Sequence, residues 1–149
     1  MNNANKVVAR FADGTVLKGQ TSDFFPNRPV FHVVKRDGTH GTEVRVEKLK
    51  ALFFVKSLDG DAQRSDLRGF INGPPENSRG RKLAVRFADG EFVCGYSLAY
   101  TPNRGAFFMY PADPNTNNER VFVVVGNGAD VREGAAAEEM AQKIVGEAA

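Results

Sequence analysis

The side chains best suited to binding a ligand lie in two copies of the tripeptide Pro-Asn-Arg. The copies are Pro26-Asn27-Arg28 and Pro102-Asn103-Arg104. A turn uses the fixed φ of proline and the tolerant backbone of asparagine, but it does not require a guanidinium. A guanidinium binds carboxylates and phosphates through two parallel hydrogen bonds. Asn27, Arg28, Asn103 and Arg104 are therefore candidate residues for binding a ligand or partner. The alternative is that each arginine bonds carbonyl or carboxylate groups of its own half of the chain.

Two consecutive phenylalanines, Phe24 and Phe25, precede the first triplet, whereas Tyr100 and Thr101 precede the second. Successive residues of an extended chain point to opposite sides. We therefore expect one ring to be buried and the other exposed. An exposed ring beside Arg28 has the aromatic and arginine composition of binding hot spots. Phe24 and Phe25 join the candidate binding residues on this ground.

Catalytic and metal-binding patterns are missing from the sequence. His32 and His40 are not spaced as a metal-binding pair, and no nucleophile elbow, zinc-protease motif or phosphate-binding glycine loop is present. Cys94 is the single cysteine, which excludes an intrachain disulfide and a cysteine-cluster metal site. The sequence predicts no catalytic residue, no metal and no cofactor, and hence a protein that is not an enzyme.

An internal similarity organises the whole chain. Residues 6–31 align with residues 82–107 at a constant offset of 76, without a gap. The identities fall in two groups, one around an Asp-Gly pair and one around the Pro-Asn-Arg triplet. They include Arg10/Arg86, Phe11/Phe87, Asp13/Asp89, Gly14/Gly90, Gly19/Gly95 and Phe31/Phe107. This similarity predicts two diverged copies of one structural unit.

Each unit has the pattern of short strands joined by turns. Val7, Ala9 and Phe11 alternate with residues of the opposite face, as in a half-buried strand. Asp13-Gly14 then predicts a hairpin turn, and Gly19 inside the next strand predicts a bend. A third strand, a fourth strand and an apolar last strand at 51–55 complete the first unit. The corresponding stretch of the second unit, 126–131, is less apolar, which predicts a shortened closing strand.

We therefore predict a mainly β fold, with two tandem SH3-like or Sm-like small β-barrels packed together and a C-terminal α-helix. The predicted organisation is a first barrel at 1–56, a polar linker at 57–81, a second barrel at 82–134 and the helix at 135–149. Several apolar residues of this last segment share one face at helical spacing. They include Ala137, Met140, Ala141 and Ile144. Because so short a helix is marginal alone, we expect it to dock on a barrel or make a contact.

Charge and hydropathy limit the classes of partner that the chain could bind. Residues 1–56 hold ten Lys/Arg and five Asp/Glu, although the whole chain has a net charge of only +2. A basic half suits an acidic partner or nucleic acid, and a solvated surface gives the same count. No run of about 20 apolar residues is present, and the first residues lack the apolar segment of a signal peptide. These observations predict a cytoplasmic protein with no membrane partner.

The segment at 11–33, FADGTVLKGQTSDFFPNRPVFHV, resembles a signature of uncharacterised bacterial proteins. It is also similar to the PilZ family of cyclic-di-GMP receptors. These small β-barrels carry Arg-x-x-x-Arg ahead of Asp/Asn-x-Ser-x-x-Gly. Arg64 and Arg68 have the first spacing. The stretch 23–28 has phenylalanine in place of serine and arginine in place of glycine, and it precedes the arginine pair. The resemblance therefore implies a PilZ-like barrel without the nucleotide site.

The sequence favours a non-catalytic binding or adaptor module of a bacterial cytoplasm, with a protein as its partner. One alternative is a PilZ-like cyclic-di-GMP sensor in which Arg28, Arg64 and Arg68 bind the phosphates. A second alternative is nucleic-acid binding through the basic first unit, where aromatic rings would stack on bases beside positive side chains.

Overall fold

The computed structural model describes residues 5–35, 41–58, 81–98, 100, 105–111 and 118–148. The first half of the chain forms five strands: β1 Asn5–Phe11, β2 Val16–Thr21, β3 Val30–Val34, β4 Gly41–Arg45 and β5 Leu49–Val55. The second half forms five more: β6 Arg81–Arg86, β7 Phe92–Ser97, β8 Ala106–Pro111, β9 Asn118–Val124 and β10 Asp130–Glu133. One helix, α1 (Ala135–Ala148), follows. The prediction of a mainly β chain with a C-terminal helix is confirmed.

The strands make one antiparallel sheet in the order β10-β6-β7-β8-β9-β5-β1-β2-β3-β4. This sheet is not a closed barrel, so the prediction of two small barrels is wrong in that respect. The halves are joined by pairing between β5 and β9, with Leu52 opposite Phe122. The reason lies in β5, whose seven residues are all buried. A strand that is apolar on both faces must be covered on both sides. A closed barrel of its own would cover only one of them.

The two halves have the same strand order, β5-β1-β2-β3-β4 in one and β10-β6-β7-β8-β9 in the other. Their registers also correspond. Val7 lies opposite Gly19, and Leu83 opposite Gly95, at the offset of 76. Val7 also pairs with Phe54, and Leu83 with Glu133, so the last strands correspond at an offset of 79. The three additional residues of the second half therefore lie between its third strand and its last strand.

Two hydrophobic cores lie on opposite faces of the central strands. The first core is built on the inner face of β1 to β5 and contains Phe31, Leu52 and Phe54. The second core contains Phe107 and Met109 of β8, together with residues of β1, β5, β6 and β9. Strand β9 contributes to both: Phe122 and Val124 belong to the first core, and Val121 and Val123 to the second. The halves therefore share a buried centre.

Gly19 and Gly95 are required by close contact between strands. A Cβ atom on Gly19 would lie 2.3 Å from the carbonyl oxygen of Val34. A Cβ atom on Gly95 would lie 2.2 Å from that of Tyr110. At both corners the second and third strands pair through only one or two residues, such as Gln20 with Val34. The glycines therefore let a backbone carbonyl approach where the strands cross.

The two Asp-Gly pairs form turns, as predicted. Asp13 Oδ1 accepts a hydrogen bond from the backbone N–H of Thr15 at 2.8 Å, and Asp89 Oδ1 accepts one from that of Glu91 at 2.9 Å. Asp89 has a second contact, because its Oδ2 lies 2.7 Å from Nζ of Lys50. This buried lysine of β5 also pairs with Glu91 and lies over the ring of Phe87. The turn of the second half thereby binds the last strand of the first half.

Helix α1 packs against β6 and β10. Ala137 and Ala141 of the helix are buried against Ala84 and Cys94 of the sheet, so the predicted apolar face is docked. No helix among the described residues is long and apolar enough to cross a membrane.

Candidate partner-binding site

The segment from Ser22 to Pro29, which connects β2 to β3, carries the candidate binding residues of the first half and is named the binding loop after that candidate role. The backbone N–H of Arg28 donates to the carbonyl oxygen of Phe25 at 3.0 Å and closes a turn over Pro26-Asn27. Residues 25–29 are all exposed. At the base of the loop, the N–H of Val46 donates to the carbonyl oxygen of Pro29 at 2.9 Å. The loop is therefore anchored to the end of β4.

The two phenylalanines of the loop point in different directions, as the alternation predicts. Phe24 packs against the first core, with its ring centroid 5.1 Å from that of Phe31 and 5.0 Å from that of Phe122, both in edge-to-face geometry. The ring of Phe25 is on the surface, where 46% of the residue is exposed. Phe24 therefore holds the loop on the sheet, and Phe25 presents an aromatic ring to solvent.

Arg28 lies over the exposed ring. Its Cζ atom is 4.7 Å from the ring centroid of Phe25, a cation–π distance. Within the described ranges the Arg28 guanidinium has no hydrogen bond or ion pair. The alternative role, in which this arginine bonds a carbonyl or carboxylate of its own half, is not seen in that part of the chain. Arg28 is itself exposed, beside the exposed ring of Phe25.

Asp23 was not singled out by the sequence, but it organises the loop. Its Oδ1 accepts hydrogen bonds from the backbone N–H of His32 at 2.9 Å and from the hydroxyl of Thr21 at 3.1 Å. Its Oδ2 lies 2.7 Å from Nδ1 of His32. Burial by itself raises the pKa of the Asp23 carboxyl. The hydrogen bonds from His32 and Thr21 outweigh burial, so the pKa is lowered from its usual value of 3.8. The carboxylate therefore ties the start of the loop to the first residues of β3.

Comparison of the halves distinguishes the residues of the turn that both halves share from the chemical groups that only the first half carries. The Pro-Asn-Arg triplet is present in both halves, whereas three groups in or beside the first loop are replaced in the second. At the offset of 76, Asp23 corresponds to Ala99, Phe25 to Thr101 and His32 to Phe108. A role in shaping the turn explains a shared triplet. The exposed ring and the Asp23–His32 pair belong to the first half alone.

Several predicted site residues lie outside the described residues. Asn103 and Arg104 of the second triplet are among them, as are Arg64 and Arg68 of the PilZ-like alternative. Asn27 lies at the tip of the described loop and is exposed. In the described part of the chain, no group of three or more His, Cys, Asp or Glu side chains could hold a metal ion.

These features define a β-sheet protein with an exposed, internally braced loop that carries an aromatic ring and a stacked arginine. The chain belongs to the family of unknown function DUF6982, whose family model matches residues 3–133. The match includes all ten strands and ends where α1 begins. No curated protein and no solved structure matches the chain.

Proposed function

We propose that this protein is a non-catalytic binding module, and that the Phe25–Arg28 pair binds an acidic and apolar segment of a protein partner. The observation that carries the proposal is the guanidinium of Arg28 stacked 4.7 Å over an exposed phenylalanine ring. Stacking covers one face of the guanidinium and leaves its N–H edge free. That edge can pair with a carboxylate through two hydrogen bonds while the ring contacts an apolar side chain.

The loop has the rigidity that such a site needs. Ordering a flexible loop and its side chains on binding lowers affinity. Here Phe24 is packed against the first core, and Asp23 fixes the loop through two hydrogen bonds with His32 of β3 and one with Thr21 of β2. The excess of Lys/Arg over Asp/Glu in residues 1–56 further favours an acidic partner. These features together support a protein ligand that carries a carboxylate next to an apolar residue.

We also infer that the ten strands arose from two copies of a five-stranded, SH3-like unit. The support is the common strand order of the halves and their corresponding registers at offsets of 76 and 79. In this interpretation the last strand of the first unit, β5, has left its own unit open and pairs with the fourth strand of the second, β9. Divergence of the loops then gave only one unit the exposed ring.

Two other ligands share the anionic chemistry that Arg28 could recognise. A nucleic acid would stack a base on Phe25 and place a phosphate beside the guanidinium. Cyclic-di-GMP would do the same if Arg64 and Arg68 supplied further charge, as in the PilZ-like alternative. The carboxylate partner is preferred because one stacked arginine matches a single carboxylate, whereas nucleic-acid binding commonly uses a row of phosphate contacts.

Selection from a displayed library of random peptides tests the proposal with a defined ligand class. We expect enriched peptides to contain Asp or Glu next to an aromatic or aliphatic residue. Phe25→Ala and Arg28→Ala should each weaken the best peptide, because both groups contact it. The matched controls are Tyr110→Ala, which removes another exposed ring, and Arg86→Ala, which removes another exposed arginine. Both controls should retain wild-type affinity.

Two results of the peptide selection would contradict the proposal. If no peptide is enriched, or if enriched peptides bind Phe25→Ala and Arg28→Ala as tightly as wild type, the loop is not the contact site. Fluorescence anisotropy with a single-stranded oligonucleotide and calorimetry with cyclic-di-GMP provide the competing arms. Tight binding of either that is lost in Arg28→Ala would replace the protein partner with that ligand.

A further inference from the structure

The sheet ends in two different edges. At one end β10 lies beside helix α1, and its charged residues pair locally: Arg132 with Asp130 in the same strand, and Glu133 with Arg81 of β6. At the other end β4 pairs only with β3. Thr42, Glu43 and Arg45 of β4 are exposed, and within the described ranges Glu43 and Arg45 form no ion pair. Strand β4 is therefore an edge of the described sheet that has no neighbour beyond it.

The hydrogen bonds of β3 and β4 show which backbone groups face outward. The N–H of Val46 donates to the carbonyl oxygen of Pro29, and Val44 lies opposite Phe31 two residues before it. Hydrogen-bonded pairs alternate along an antiparallel ladder, so Val44 directs its N–H and C=O towards β3. The N–H and C=O groups of Glu43 and Arg45 are then directed to the open edge. They are available to a further strand.

We propose that two copies of this chain pair antiparallel through their β4 strands, about a twofold axis at Val44. The axis places Glu43 opposite Arg45 of the second copy, and Arg45 opposite its Glu43. Both are positions whose backbone groups face outward, so the ladder and the charges are satisfied by one register. Val44 meets its own counterpart at the position between them. The edge is self-complementary, as a twofold contact requires.

The chain already contains a pairing of this kind. Strand β9 corresponds to β4 in the order of its half, and it accepts β5 as an antiparallel neighbour over most of its length. A fourth strand of this sheet can therefore be paired on both sides. The dimer would continue the sheet from one copy into the other. Because β4 has five residues, the interface is small and the dimer should be weak and concentration-dependent.

Charges on an edge strand usually prevent pairing, and that is the competing interpretation of Glu43 and Arg45. Protection works when the charge meets an apolar strand or a like charge. Two opposite charges separated by one residue favour pairing in a twofold antiparallel contact, because each charge lies opposite an opposite charge of the second copy. Like charges directly across a pair of strands are destabilising, and opposite charges are stabilising. Charge reversal therefore distinguishes the two interpretations.

Sedimentation velocity of the full chain, from micromolar to millimolar concentration, measures the monomer–dimer equilibrium. Glu43→Arg and Arg45→Glu should each raise the dimer Kd by about tenfold or more, since the twofold axis puts each reversed charge in the interface twice. The double variant Glu43→Arg/Arg45→Glu should recover a dimer. An equimolar mixture of the two single variants should form a heterodimer, because one edge is then positive and the other negative.

Glu119→Arg, an exposed charge reversal on β9, is the matched control and should leave the Kd unchanged. Thermal unfolding checks that each variant is folded. A wild-type protein that stays monomeric throughout would overturn the proposal. So would a dimer whose Kd is the same in both single variants, since the contact would then lie elsewhere. The proposal does not depend on the binding loop, because Phe25→Ala should dimerise as wild type does.

Discussion

Replacing Phe24 and Phe25 separately by alanine tests how the loop is divided between scaffold and contact surface. Phe24 lies between 5.0 and 6.0 Å from the centroids of four rings, Phe31, Phe54, Phe108 and Phe122. Truncating a core phenylalanine costs about 3–5 kcal/mol of unfolding free energy. Phe24 is only partly buried, so we expect a loss near the lower end, about 3 kcal/mol. For a chain of this size that lowers Tm by about 6–12 °C.

Phe25→Ala should lower the free energy of unfolding far less than Phe24→Ala does. The exposed ring loses only its stacking with Arg28, and an exposed cation–π contact contributes about 0.5–1 kcal/mol. Urea unfolding should show a shifted midpoint for Phe24→Ala with an unchanged slope, and nearly the wild-type curve for Phe25→Ala. Phe24→Leu, which keeps an apolar side chain, should recover part of the loss. Equal large losses at both positions would show that both rings belong to the core, and the Phe25–Arg28 contact site would then be wrong.

Three further perturbations test the glycine corner, the loop carboxylate and the helix. Gly95→Ala should destabilise the protein by at least about 1–3 kcal/mol, the usual cost of overpacking. Gly105→Ala, whose Cβ would meet nothing within 4 Å, should leave the stability unchanged. Chemical denaturation measures the free energy of unfolding of both variants. The pKa of Asp23 is lowered in the folded protein, so the stabilisation by its carboxylate is complete above the unfolded pKa of 3.8 and is lost as pH falls through the lower folded pKa. The free energy of unfolding of Asp23→Asn should therefore fall less steeply below pH 3.8 than that of wild type. Ala141→Asp should undock α1 and speed the labelling of buried Cys94 by a thiol reagent, and an unchanged labelling rate would show that the helix does not cover it.

Local signals in the sequence were sufficient for strand β1 and for the hairpin turn that follows it. The alternation at Val7, Ala9 and Phe11 identified β1, and Asp13-Gly14 identified the hairpin, where Gly14 has a φ of 94°. These signals depend on neighbouring residues, which is why they can be interpreted without the fold. The alternation also separated Phe24 from Phe25. The interpretation of Gly19 as a bend was incomplete, because the carbonyl that it accommodates belongs to β3, 15 residues later.

The joining of the halves could not be predicted from local patterns. The run 51–55 showed that the last strand of the first half is apolar on both faces, but not which strand would pair with its free edge. Strand β9 has a similar run at 121–124. Two strands that are each apolar on both faces can lie side by side at the centre of a sheet, where both faces are covered, and the comparison of such runs is the signal that would have suggested β5–β9 pairing. The Asp23–His32 contact was missed because it joins residues that are nine positions apart.

Helix α1 covers, in the second half, the face that corresponds to the one the first half buries in the second core. The outward residue Val8 of β1 is buried by the second half, as part of the second core. Its counterpart on β6 is Ala84, which is covered instead by Ala137 and Ala141 of α1, and the small side chain of Ala84 lets the helix approach closely. Arrays of repeated units commonly end in such a cap, because the last unit otherwise exposes a face made for a neighbour. The first half has no corresponding helix beside β4 among the described residues. The hydrogen bond from Val46 to Pro29 places the binding loop at this same uncapped end, so both contact surfaces that we propose lie where the sheet is left open.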